Sequence, residues 1–144
     1  MRAVFTSFLI LSLPSPCLAQ SGKTAIMHLE EFFHPERGIN RLVRALKDLD
    51  PDFFSRPYEA QEKQFFEIEG VCFPEGEQKV EGRERVKEVV CPVFEDIINE
   101  AERFAKERGI EHLVDIHDEA KLFKVDKLKD VTRAFIKGYN RRHP

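Results

Sequence analysis

The chain has 144 residues, 42% of them hydrophobic and 34% charged, which excludes an intrinsically disordered polymer and fits one small folded domain. Lys and Arg number 23 against 26 Asp and Glu, a formal net charge of −3, so there is no overall positive field to hold nucleic acid or an anionic membrane. Three Cys, seven Gly and no Trp, without any repeat of fixed period, exclude a disulfide-dense scaffold, a collagenous chain and a solenoid.

Residues 1–19 read as an export signal. Arg2 precedes an apolar run from Ala3 to Leu13 that is too short to span a bilayer. Pro14 and Pro16 break that run, and Cys17 and Ala19 place small side chains at the −3 and −1 positions of a cleavage point after Ala19. A buried N-terminal helix fits less well, because the prolines would end it early and it has no polar face. Lipidation at Cys17 is disfavoured by Pro16, which stands where a small residue is wanted. Cleavage leaves 22 basic and 26 acidic residues, net −4, in a single domain over residues 20–144. Cys72 and Cys91 then share a compartment that permits disulfides. The 18 residues between them leave open whether they pair or stay separate thiols, with Cys91 a small buried hydrophobe.

In chain order, Thr24–Leu29 carries Ala25, Met27 and Leu29 on one side and predicts a first strand. Glu36–Leu49 spaces Ile39, Leu42, Val43, Leu46 and Leu49 as the apolar face of a helix, with Arg37, Arg41, Arg44 and Lys47 on the wet face. From Asp48 to Val90 the composition changes to 12 acids against 6 bases, net −6, with Gly70, Pro74, Gly76 and Gly82 midway. This insert, roughly residues 48–90, predicts two helical limbs around a turn near residues 70–82. A helix opening at Pro92 follows through Phe94, Ile97, Ile98, Ala101, Phe104 and Ala105 to a stop at Gly109; Glu95 and Asp96 in its first turn, with Lys106 and Arg108 in its last, suit the helix dipole. Glu111–Ile116 predicts a second strand and Lys121–Val125 a third, joined by the polar His117–Ala120. Asp130 is placed to cap a last helix bearing Val131, Phe135 and Tyr139 on one face. The expected class is α+β, and three short strands with open edges make an oligomer physically sensible.

Few residues in this pattern point to chemistry. Gly-x-Ser-x-Gly, Cys-x-x-Cys and His-Glu-x-x-His are absent, as is a phosphate-cradling glycine loop, so no enzyme and no cofactor is expected. His28, His34, His112 and His117, with Asp115 and Asp118, are of ligand type but form no four-ligand set of regular spacing, so no metal is expected and the histidines read as solvated or strand-end groups. Glu30-Glu31 reads as strand-end charge. The aromatics of the insert, Phe53, Phe54, Tyr58, Phe65, Phe66 and Phe73, have two readings: exposed side chains that repack against many partners, or glue between the two limbs. Residues 119–144 hold 8 bases against 3 acids, net +5. This end reads either as a weak, salt-sensitive contact for an anionic membrane surface or as a solvated face that offsets the acidic insert.

The strand Ala25-Ile-Met-His-Leu-Glu30, the helix Gly38–Leu46, the helix start Val90–Ile97, Phe104–Gly109, Leu113-Val-Asp115, Asp130–Ile136 and Tyr139-Asn140 together resemble the OmpH family, the Skp-like periplasmic chaperones. The likeness covers roughly residues 24–48 and 90–140 and rests on order and spacing. It implies a periplasmic homotrimer whose strands form a small barrel shared between subunits. Each subunit would extend a protruding helical hairpin arm, and the trimer would hold unfolded outer-membrane proteins without ATP. In that frame the insert aromatics are the client-binding residues. The 43-residue insert limits each limb to about 20 residues, on the order of 30 Å, and its acidic charge departs from the basic arms of well-known members. A structural or regulatory oligomer that binds a folded envelope partner is the alternative.

Overall fold

The computed structural model describes residues 23–74, 82–114 and 129–144. The export signal and the strand expected over 121–125 lie outside them. The order is β1 (Lys23–Ile26), a 3-10 turn (Leu29–Phe33), α1 (Asn40–Leu49), a second 3-10 turn (Phe53–Ser55), α2 (Tyr58–Cys72), α3 (Arg83–Val89), α4 (Cys91–Glu107), β2 (Ile110–Val114), β3 (Lys129–Asp130) and α5 (Thr132–Arg142).

The three strands form one parallel sheet in the order β2-β1-β3, with Ala25 opposite Leu113 on one side and opposite Lys129 on the other. A central parallel strand is covered on both faces, which is why Ala25, Ile26 and Met27 are all buried where alternation alone would expose Ile26. The fold is therefore α+β with a small sheet.

α1 begins later than its apolar spacing predicts because residues 34–38 close a tight turn. His34 Nδ1 accepts hydrogen bonds from the backbone N–H of Glu36 and of Arg37, Gly38 N–H donates to His34 O, and Ile39 N–H donates to Phe32 O. A Cβ at position 38 would stand 2.4 Å from Phe32 O and 2.6 Å from His34 O, both backbone atoms, so glycine is required by close approach. From there Leu42, Val43 and Leu46 are buried and Arg44 and Lys47 face solvent, as their spacing predicts.

α4 runs from Cys91, so Glu95 and Asp96 fall in its second turn and not in its first. Gly109, at φ 65°, takes the left-handed conformation that ends it and turns the chain into β2. Asp130 Oδ1 accepts from the backbone N–H and the hydroxyl of Thr132, which secures the start of α5; Val131, Phe135 and Tyr139 are buried. Phe135 packs edge-on against Phe104 at 5.5 Å and tilted against Phe32 at 5.6 Å, closing the core over the sheet.

The two expected limbs of the insert are α2 and α3. A protruding hairpin is not what the described residues show: α2 packs on α3 and α4, and α3 packs on α1 and α4. Burial explains this, because Phe65, Ile68, Val71 and Val86 are each at most 4% exposed and can reach that state only against the body. No helix among the described residues is long and apolar enough to cross a membrane.

Candidate functional site

The insert aromatics converge on one seam. Phe65 stacks on Phe33 of the first 3-10 turn at 4.3 Å and meets Phe94 of α4 at 5.4 Å. Phe53 meets Phe33 edge-on at 6.4 Å, Tyr58 stacks on Phe33 at 6.2 Å, and Phe73 meets Phe94 edge-on at 6.2 Å. Phe54 and Phe66 flank Phe53 and Phe65 at 4.9 and 6.3 Å, and Lys47 Nζ lies 5.7 Å over the Phe54 ring. These distances suit offset and edge-to-face aromatic contact. Of the two readings the sequence leaves open for these rings, packing accounts for most of them, against Phe33 and Phe94 of the body and not limb against limb. Phe53 and Phe65 are fully buried, and Phe54, Phe66 and Phe73 are partly buried. Tyr58, 51% exposed, is the one exposed large hydrophobic side chain among the described residues. Its hydroxyl donates to Glu30 Oε2 at 3.4 Å. Burial, with Glu30 and Glu62 nearby, pushes its phenol well above the usual range.

α2 is held over this seam at both ends. At its N-terminal end Arg56 pairs with Asp50, Gln64 Nε2 donates to Asp50 Oδ2 at 3.0 Å, and Gln61 Nε2 donates to Arg56 O at 2.7 Å. At its C-terminal end a Cys72–Cys91 disulfide, with Cα atoms 5.1 Å apart, ties it to the first residue of α4. Of the two alternatives open in the sequence, the structure takes the pair. Cys91 is buried and Cys72 partly exposed.

A second cluster, missed in the sequence, sits where the end of α5 meets α1 and α4. Arg41 Nη1 donates to Asp96 Oδ2 at 2.9 Å and to Tyr139 Oη at 3.2 Å; the Tyr139 hydroxyl donates to Asp96 Oδ2 at 2.6 Å. Arg142 donates to Glu100 Oε2 through Nη2 at 2.6 Å and Nε at 3.0 Å, and His143 Nε2 lies 2.6 Å from Glu100 Oε1. Burial pushes the Glu100 carboxyl up, but its hydrogen bonds with His143 and Arg142 outweigh this and leave it lowered. Tyr139 is raised, by burial first and then by donating to Asp96. The legible signal was a pair of four-residue spacings, Asp96/Glu100 on α4 and Tyr139/His143 at the end of α5, where His143 follows the last helical residue.

Ligand atoms of Asp96, Glu100 and His143 lie within 4.8 Å of one another. Two guanidiniums already pair with these two carboxylates, so a divalent cation would have to displace Arg41 and Arg142. The cluster is a clasp that fastens α5 to the body. Of the histidines considered in the sequence, His28 lies 3.4 Å from Asp130 Oδ2, His34 organises the turn before α1, and His112 is on β2, so they are not brought together. His117, Asp115 and Asp118 lie outside the described residues. A cavity of about 250 Å³ between α1, α2 and α3, lined by Leu49, Asp50, Gln64, Ile68, Arg85 and Val86, is below the size usual for small-molecule sites.

No protein-family model matches this chain, and neither does any curated protein or solved structure.

Proposed function

We propose that this chain is an exported, ATP-independent holdase of the OmpH type, which binds unfolded outer-membrane or envelope proteins in the periplasm. The observation that carries the reading is the aromatic seam. Seven rings, from Phe33, Phe53, Phe54, Tyr58, Phe65, Phe66 and Phe73, gather on and beside α2, and in this reading α2 moves to offer them to a client. Adaptable apolar surface of this kind is what a holdase needs to lower the concentration of free aggregation-prone chain by mass action. The family resemblance at both ends of the chain, and the element order strand, helix, helical insert, helix, strand, strand, helix, support it.

The sheet supports assembly. With β1 in the centre, β2 and β3 each have one side without a strand among the described residues, and open edges favour pairing with other copies. In the proposed trimer these edges meet in a shared barrel, and α2 with α3 forms a short arm that leaves the body when a client is held. No cofactor takes part, and no reaction is catalysed.

The packing of α2 and α3 on the body favours a second reading, a structural or regulatory oligomer that binds one folded envelope partner. The deciding experiment dilutes a urea-unfolded outer-membrane β-barrel protein out of denaturant, with and without residues 20–144 in threefold molar excess, and follows light scattering at low and physiological salt. Suppressed aggregation is the expected result. Unchanged aggregation with a folded, oligomeric protein rejects the holdase reading in favour of the second.

A further inference from the structure

We propose that the groove between α4 and α5 is a docking site for an acidic amphipathic helix of a partner protein, with the apolar side chains of that helix on the floor of the groove and its carboxylates against cations on both banks. The site belongs to the body of the molecule and does not rest on the holdase reading.

α5 carries Arg133, Lys137, Arg141 and Arg142 and no acid between Thr132 and Arg142. Phe135, Ile136 and Tyr139 turn to the core, so the four-residue spacing sets Arg133, Lys137 and Arg141 in one exposed row on the other side of the helix. Arg133 lies 3.9 Å from Glu31, while Lys137 and Arg141 have no ion pair among the described residues. Between this row and α4 runs a groove of about 170 Å³, floored by Phe104, Ala134 and Gly138 and bordered on the α4 side by Arg103, Glu107 and Arg108. Arg103 also has no ion pair among the described residues. Arg108 stacks over the Phe104 ring at 3.8 Å, which orders its guanidinium without engaging a carboxylate. Arg142 at the end of the groove is held by Glu100, the carboxylate that the clasp buries. Glu107 is the one exposed acid of the lining, one turn after Arg103.

Shape and charge together select the partner. Ala134 and Gly138 stand one turn apart on α5 and keep the floor low beside the Phe104 ring, so the groove follows the helix axis as a trough with an apolar bottom. Arg103 and Arg108 form one bank, and Lys137 and Arg141 stand above the other. A helix with an apolar stripe buries that stripe on the floor, and acids flanking the stripe on both sides meet guanidiniums, whose fork matches a carboxylate. An anionic bilayer suits the surface less. A flat layer of headgroups touches the banks and not the recessed floor, and Glu107 together with the negative net charge of the chain opposes it. Docking that depends on exposed charges of this kind weakens as salt rises.

The test follows the fluorescence anisotropy of a labelled amphipathic peptide, with leucines on one face and glutamates along both flanks, titrated with the protein at low and physiological salt. The same peptide with lysine in place of glutamate, and phosphatidylglycerol vesicles, serve as comparisons. The glutamate peptide is expected to bind, and the lysine peptide to bind about tenfold more weakly or not at all. Reversing both banks in R103E/K137E/R141E should weaken the glutamate peptide by about tenfold or more and strengthen the lysine peptide, while Lys87→Glu on α3 should change neither. Should the triple variant fail to fold, Arg103→Glu and Lys137→Glu made singly are each expected to weaken the glutamate peptide by about threefold. Absence of glutamate-peptide binding overturns the proposal, and so does equal binding of the two peptides or binding that the reversals leave unchanged. Capture of vesicles without peptide binding overturns it in favour of a membrane contact. An oligomer that the triple reversal breaks, with no peptide bound, overturns it in favour of a second copy of this chain.

Discussion

Asp50 shows how far a single residue can be tied to its surroundings. The hydrogen bond from Arg56, with a second from Gln64, holds its carboxyl down to about 2 from an ordinary value of 3.8. Because the folded value lies below the unfolded one, the stabilisation is complete above about pH 4 and is lost as pH falls through about 2. Asp50→Asn should therefore flatten the acid side of the stability profile between those values, measured by urea denaturation at stepped pH. Glu100 is also lowered, through His143 and Arg142. Glu100→Gln should cost about 1–2 kcal/mol at neutral pH, because Arg142 is half exposed and partly screened. That loss should shrink as pH falls below the ordinary carboxylate range, where the native side chain is itself neutral. Phe65→Ala removes a ring with no exposed surface and should cost about 3–5 kcal/mol, read from the thermal midpoint by circular dichroism. A shift under 1 kcal/mol would mean that α2 is not seated on the body in solution.

Among the elements, α1 and α4 depend on glycines in different ways. At Gly109 the positive φ of 65° is the constraint and there is open space for a Cβ, so Gly109→Ala should cost about 1 kcal/mol through backbone strain alone. At Gly38 the backbone oxygens of Phe32 and His34 occupy the space of a side chain. Gly38→Ala should therefore be the more damaging of the two, with the difference visible in denaturation midpoints. α2 is a different kind of element. Four successive residues, Ile68 to Val71, are buried, and although it contributes no strand to the sheet, a polar network at Asp50 and a disulfide to Cys91 add to the hold of that burial.

On the scale of the whole molecule, the acidic insert and the basic C-terminal region are segregated in sequence, net −6 and net +5, and the clasp ties the basic end to carboxylates of α4, outside the insert. Arg41 and Arg142 meet Asp96 and Glu100 on α4, and Arg44 Nη2 donates to Pro144 O at 3.3 Å. High salt should loosen the exposed parts of this arrangement more than the buried Glu100 pairing. If the open strand edges are used as proposed, sedimentation of residues 20–144 at tens of micromolar should show an oligomer. A monomer at that concentration would count against the trimer.

The helices were legible in the sequence because their information is local. The three-and-four spacing of Leu42, Val43 and Leu46, the run from Phe94 to Phe104, Gly109 as a stop, and Asp130 before the last helix all lie within a few residues of the effect they have. Limits were set by packing partners far along the chain. Whether Phe53 and Phe65 are surface or core depends on Phe33 and Phe94 standing opposite them. The pairing of Cys72 with Cys91 depends on the path of α2 against α4, and the parallel register of Ala25 with Leu113 on both faces of β1 being covered. Composition, charge and helical periodicity were thus determined by the sequence itself. The direction of the sheet, the seating of the insert and the clasp at Glu100 were decided by tertiary structure, because burial and hydrogen-bond satisfaction are properties of neighbours in space and not of neighbours in sequence.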